Sequence, residues 1–162
     1  MSMNTGVSIR LARAEQAPEI ARLSRDLVEH GLGWSWTPAR VMRQIRHPES
    51  VVLTAVAGER IAGFAIMRFG DEEAYLNLLA VRGRFQRTGI GRRLVEWLEA
   101  SARTAGITTV YLEVRVKNLG ARTFYRKLAY REVAYLRGYY EWRESALRMM
   151  RDLAWETSPN PP

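Results

Sequence analysis

The chain has 162 residues, 47% of them hydrophobic, with a formal charge of +8 and a pI near 10.4, a balance that suits a single globular domain with a sizeable core. It contains no cysteine, which excludes disulfides, thiolate zinc sites and a covalent acyl-cysteine. Histidine occurs only at positions 30 and 47, so a three-histidine metal centre is impossible and a Ser-His-Asp triad has poor candidates.

The first sixteen residues, MSMNTGVSIRLARAEQ, hold no apolar stretch of signal-peptide length, and the longest apolar runs, such as VVLTAVA, fall far short of a membrane span. A soluble, unprocessed, cytoplasmic protein with no membrane partner is expected. Val7 to Leu11 alternates as a first strand, and Ile20, Leu23, Leu27 and Val28 share one face of a helix running from Pro18 to Val28. Thr37-Pro38 starts a second helix, with a hydroxyl N-cap followed by proline, and His47-Pro48 ends it. The intervening HGLGWSW reads as a loop whose Trp34 and Trp36 either face a ligand or pack on the core. Val51 to Ala57 and Arg60 to Phe69 form a hairpin turning at Gly58-Glu59. Ala74 to Val81 is a nearly continuous apolar strand, and the doublet Leu78-Leu79 breaks its alternation as a bulge would.

That strand runs into LAVRGRFQRTGIGRR, after which a helix to about Ala105 buries Ile90, Leu94, Trp97, Leu98 and Ala102 and stops at Gly106. Gly89 and Gly91 allow close backbone approach to a ligand. The unbonded first amides of the helix and its dipole favour a phosphate. Arg82, Arg84, Arg87, Arg92 and Arg93 add charge nearby. A Walker loop is excluded, because Gly-Arg-Arg stands where Gly-Lys-Ser/Thr is needed. A dinucleotide fingerprint would want glycine at Leu94 and a tighter turn, although Glu113 lies about twenty residues downstream, where a ribose-binding acid belongs.

Thr109 to Val116 alternates, with Val110, Leu112 and Val114 on one face and Tyr111, Glu113 and Arg115 on the other. The alternation leaves Glu113 open as a solvated or Arg115-flanked carboxylate, or as a general base whose pKa partial burial raises. Asn118 caps a short helix in which Ala121, Phe124, Tyr125 and Leu128 share a face, so spacing alone puts Tyr125 in the core. Tyr130 to Leu136 and Ala146 to Leu153 are the closing strands, separated by a loop carrying Tyr139, Tyr140 and Trp142. A proline-rich tail, 155–162, is expected to be disordered, leaving 1–154 as one domain.

Gln86-Arg87-Thr88-Gly89-Ile90-Gly91 resembles the Q/R-x-x-G-x-G/A acetyl-CoA loop of the GNAT superfamily of N-acetyltransferases. The likeness continues through Leu112-Glu113-Val114-Arg115, Asn118, Phe124-Tyr125 and Tyr139-Tyr140, and over this C-terminal half it is greatest to the ribosomal-protein alanine N-acetyltransferase subgroup. The resemblance implies an α/β (α+β) fold with a mixed, mostly antiparallel sheet of about seven strands, splayed at its central strands, and about four helices. It implies direct transfer of acetyl from acetyl-CoA to a primary amine, with a protein N-terminal α-amine among the candidates, and no metal. Leu79, Ala80 and Val81 would then meet pantetheine through their backbone, and one of their amides would hold the oxyanion. Arg87, Thr88, Gly89, Ile90, Gly91, Arg92 and Asn118 would bind the cofactor, with Glu113 as base and Tyr125 as acid. The sequence departs from the family at Ala129, usually glycine, and at Val81-Arg82-Gly83, where proline or an acidic residue commonly follows the valine.

The basic charge implies an anionic partner. Arginines spread over every element, and no nucleic-acid-binding module signature is present, which argues against nucleic acid. An acidic protein acceptor or a ribosome surface fits equally well, and a homodimer is left open.

Overall fold

The computed structural model describes residues 6–154; the tail at 155–162 lies outside them. In chain order the elements are β1 (Val7–Leu11), α1 (Ala17–Leu23), α2 (Pro38–Arg46), β2 (Ser50–Ala57), β3 (Arg60–Phe69), β4 (Glu73–Val81), α3 (Ile90–Thr104), β5 (Thr109–Arg115), α4 (Leu119–Lys127), β6 (Arg131–Tyr140) and β7 (Glu144–Asp152). The strands form one sheet in the order β1-β2-β3-β4-β5-β7-β6. Pairing is antiparallel at β1/β2, β2/β3, β5/β7 and β6/β7, and parallel at β4/β5. The mixed seven-stranded sheet with four α-helices is the architecture expected. No helix among the described residues is long and apolar enough to cross a membrane.

The described residues divide into two compact units, one running up to Arg68 with Leu76–Leu98 and the other taking Phe69–Tyr75 with the residues from Glu99 on. In the first, Ile20, Leu23, Val41, Phe64, Ile66 and Leu78 form a buried apolar cluster that also takes in Trp36, only 8% exposed. Trp36 is therefore a core residue. Trp34 stays 39% exposed, its indole N–H donating to the Ala21 carbonyl at 3.1 Å. α1 ends in a π-helical turn over Ser24–Val28, closed by the Glu29 amide donating to the Ser24 carbonyl at 2.8 Å. A residue is gained in that turn, so Leu27 leaves the buried face and is 42% exposed.

The turn also delivers Glu29 into the interior, where its carboxylate accepts from the Ser24 and Ser35 hydroxyls and from the amides of Ser35 and Trp36. A buried carboxylate is tolerated only when donors surround it. These donors fix the course of residues 29–36.

β4 buries Ala74, Leu76, Leu78 and Ala80 in strict alternation, so the Leu78-Leu79 doublet sends one side chain to each face and the period continues through it. A register shift occurs in β2 instead, between Ala55 and Val56. β3 approaches β4 closely at Gly63, where a Cβ would lie 2.8 Å from the Ala80 carbonyl oxygen. Only glycine fits there without movement of the backbone.

In the second unit, the parallel pairing of β4 with β5 covers Glu73–Tyr75 against Thr109–Tyr111. Both paired segments lie within this unit. β5 buries Val110, Leu112 and Val114 and turns Tyr111, Glu113 and Arg115 to a less buried face. Glu99, 1% exposed, accepts from Arg151 Nη1 on both carboxylate oxygens at 2.9 Å and from the Tyr130 hydroxyl at 3.0 Å. α3 was expected to bury Trp97, but that residue is 38% exposed and the neighbouring turn buries Val95 and Glu99. At 3.6 residues per turn, Leu94, Leu98 and Ala102 share a stripe that Trp97 misses.

Candidate active site

The residues for which the sequence anticipates chemistry fall into two sets, one in each unit. In the first, β4 ends at Val81 and a single tight turn, Gly83–Phe85, leads into the glycine loop. The Gln86 carboxamide donates to the Val81 carbonyl at 3.0 Å and the Thr88 hydroxyl to the Phe85 carbonyl, so two side chains of the motif shape the loop. Arg87 and Gly89 take left-handed backbone angles, φ 61° and 86°, and α3 opens at Ile90. The Arg93 amide donates back to the Gly89 carbonyl at 3.0 Å. The amides of Ile90, Gly91 and Arg92 come too early in the helix for an internal acceptor. Three convergent N–H groups at the positive end of a helix fit a pyrophosphate.

The arginines around this loop do not all serve it. Arg82 donates to the Ile61 carbonyl at 2.7 Å and to Glu19 at 3.0 Å, tying the loop entry to β3 and α1. Arg93 reaches the Val7 carbonyl at 3.0 Å. Arg92 pairs with Glu96 one turn on, and Arg84 lies over the Phe85 ring. Arg87, at the loop's turn, makes no ion pair among the described residues and remains the guanidinium best suited to a phosphate.

In the second unit, Glu113 faces Arg148 directly across the β5/β7 ladder. The Arg148 Nε and Nη2 donate to Glu113 Oε1 at 3.0 and 2.9 Å. The carboxylate's partner is therefore Arg148, while Arg115, the flanking residue considered from sequence, pairs with Glu144 at 2.8 Å. Tyr125 is 7% exposed on α4, its ring edge-on to both Phe124 and Tyr130. Burial, and secondarily the nearby Tyr140 phenol, raises the Tyr125 pKa above the ordinary tyrosine value. The hydroxyl is protonated at neutral pH, as an unshifted tyrosine would also be. Its burial agrees with the spacing, which puts Tyr125 in the core.

Tyr140 is shifted in the same direction by burial, then by Tyr139 and Glu113. Both tyrosines lie on β6, which runs to Tyr140, and β7 begins at Glu144. The loop anticipated over these residues is mostly strand, with its turn confined to Glu141–Arg143. Asn118 caps α4 as expected, its Oδ1 accepting from the Ala121 amide at 3.1 Å, which leaves the carboxamide NH₂ for a ligand. The residues that sequence reasoning missed are Arg148 and the Glu29 clasp. Arg148 could have been found by aligning the alternation of the last strand against that of β5; Glu29 carries no sequence signal.

A profile of the acetyltransferase (GNAT) family matches residues 17–130. The chain is 41% identical over 88 residues to the [ribosomal protein bS18]-alanine N-acetyltransferase of Salmonella typhimurium, a match covering 54% of this chain and 60% of that relative's length. Among solved structures it is similar to Ard1 from Thermoplasma volcanium, with 28% identity, a TM-score of 0.81 and coverage of 91% of this chain and 98% of the other. It is also similar to the ribosomal-protein-S18-alanine N-acetyltransferase of Escherichia coli, with 27% identity, a TM-score of 0.78 and coverage of 91% and 94%. The family match takes in the loop, β5 and α4, and with the sheet order and both structural likenesses it shows that this chain belongs to the acetyltransferase (GNAT) family.

Proposed function

We propose that the protein transfers an acetyl group from acetyl-CoA directly to a primary amine, and that the acceptor is a protein N-terminal α-amine. The observation that carries this reading is the glycine loop opening α3, whose first-turn amides and Arg87 suit the cofactor's pyrophosphate. The α-amine acceptor is supported by the names of the ribosomal-protein alanine N-acetyltransferases to which the chain is similar.

Acetyl-CoA supplies a thioester carbonyl as acyl donor. The backbone of Leu79, Ala80 and Val81 would align the pantetheine arm, and one of their amides would meet the charge that gathers on the carbonyl oxygen. Thr88, Gly89, Ile90, Gly91 and Arg92 would hold the phosphates through their amides, and Asn118 would add its NH₂. Glu113 would take the ammonium proton, directly or through water, on Oε2, the oxygen that Arg148 leaves uncommitted. Tyr125 would give its phenolic proton to the departing thiolate, and the proton that the attacking nitrogen sheds as the C–S bond breaks would restore the phenol. The absence of cysteine favours this direct route over an acyl-enzyme.

Release of CoA from acetyl-CoA tests the reading against an alanine-starting peptide that copies a ribosomal-protein N-terminus, lysine peptides and small amines. Selective turnover of the peptide α-amine is expected, because its pKa of about 8 leaves more free amine at neutral pH than lysine at about 10.4. Turnover of small amines alone would reject the protein acceptor and keep the chemistry. Tyr125→Phe should lower kcat about a hundredfold or more while leaving the dissociation constant for acetyl-CoA unchanged. Unchanged turnover in that variant would remove Tyr125 from the chemistry.

A further inference from the structure

The Glu113–Arg148 pair has a composition that an amine site does not need. A carboxylate alone would attract an ammonium, but a guanidinium on Oε1 makes the pair neutral overall, so a simple monocation gains little from it. The pair is not sealed into the core: Glu113 is 12% and Arg148 33% exposed. Arg148 spends Nε and Nη2 on one oxygen, leaving its Nη1 and Glu113 Oε2 without a hydrogen bond among the described residues. Arginine–carboxylate pairs frequently use both oxygens in a two-pronged fork, and this one uses a single oxygen. Stacked Tyr75 and Tyr111, with ring centroids 5.6 Å apart, belong to the same stretch of sheet, as β5 carries Tyr111 two residues before Glu113. Tyr139 is close enough that both charges of the pair act on its phenol.

We infer that Arg148 is an acceptor-specificity residue, and that the Glu113–Arg148 pair selects amines that also carry a carboxylate able to reach the guanidinium. The ammonium meets Oε2 of Glu113 and the carboxylate meets Nη1 of Arg148, so the two dipoles lie head to tail. A free amino acid and a peptide whose second residue is acidic present this same chemistry. The inference rests on the proposed acetyl transfer; a preference shown by the peptide pair narrows the protein acceptor, and one shown by free alanine replaces it.

The test measures kcat/KM by CoA release for matched acceptors: alanine against alaninamide, and alanine-starting peptides with Asp against Asn at the second position. The carboxylate-bearing member of one pair should be preferred by about tenfold or more, the scale of one charge-assisted hydrogen bond; the pair that shows the preference identifies the source. Arg148→Gln should abolish the preference through KM, and Arg148→Lys should restore part of it. Equal efficiencies in both pairs for the wild-type protein, which needs no variant to fold, overturn the inference and leave acetyl transfer intact. A preference that survives Arg148→Gln also overturns it. No CoA release with any amine, alongside calorimetry showing no acetyl-CoA binding, overturns the acetyltransferase reading and this inference together.

Discussion

Ala129 sits at φ 70°, in the left-handed region that costs a residue with a Cβ about 1–2 kcal/mol. The Ala129 amide bonds back to the Arg126 carbonyl as the chain leaves α4 for β6, a turn that suits glycine. Ala129→Gly should therefore stabilise the fold, by about 1 kcal/mol once the extra freedom of glycine in the unfolded chain is offset. An upward shift of the urea midpoint at constant m-value would show it. At this scale the sequence was informative about residue types and silent about their partners. Glu113, Tyr125 and Asn118 stand out because their motif is local, but Arg148 is 35 positions from Glu113 and meets it only through strand register. Trp34 and Trp36 looked alike in the sequence; two positions of backbone direction put one in the core and the other at its edge.

Elements position the residues proposed to bind the cofactor, and the approach of β3 to β4 is testable. A methyl group at Gly63 would collide with the Ala80 carbonyl, and no flexible side chain is available to absorb it. Gly63→Ala should push the end of β4 outward and weaken acetyl-CoA binding severalfold by calorimetry, through Leu79–Val81, with Glu113 and Tyr125 untouched. Helix α4 allows cap and ligand to be separated. Asn118→Asp keeps the acceptor for the Ala121 amide and loses the NH₂, so it should retain stability while weakening acetyl-CoA binding. Asn118→Ala should do both, costing about 1 kcal/mol as well. Strand and helix boundaries were legible wherever glycine, proline or a cap punctuated the chain. They were not legible in the β6/β7 hairpin, whose turn carries Glu141 and Trp142 at φ 54° and 61°. Tight hairpin turns with positive φ normally advertise themselves with Asn-Gly or Asp-Gly, and this one does not.

Across the whole molecule, the buried Glu99–Arg151–Tyr130 group carries the clearest pH signature. Burial, outweighing Arg151 and Tyr130, raises the Glu99 pKa above the ordinary value. A carboxyl raised on folding stabilises the fold below its unfolded pKa, and that contribution is lost as pH rises through the folded value. Arg151→Met removes the main group opposing the shift, so Glu99 would be driven further toward its neutral form. The variant should lose about 3–5 kcal/mol near pH 8 and distinctly less near pH 5, as read from urea unfolding at both. An equal loss at both pH values would mean that Arg151 acts through packing alone. No sequence pattern announced this group, since its members come from α3, β7 and the residue preceding β6. The Glu29 clasp has a different consequence. Of the five tryptophans in the chain, it holds Trp36 by its amide and sets the course of the segment bearing Trp34. The emission of these two indoles thus forms a built-in optical gauge of how tightly residues 29–36 are held, and Glu29→Gln is the substitution that would calibrate it.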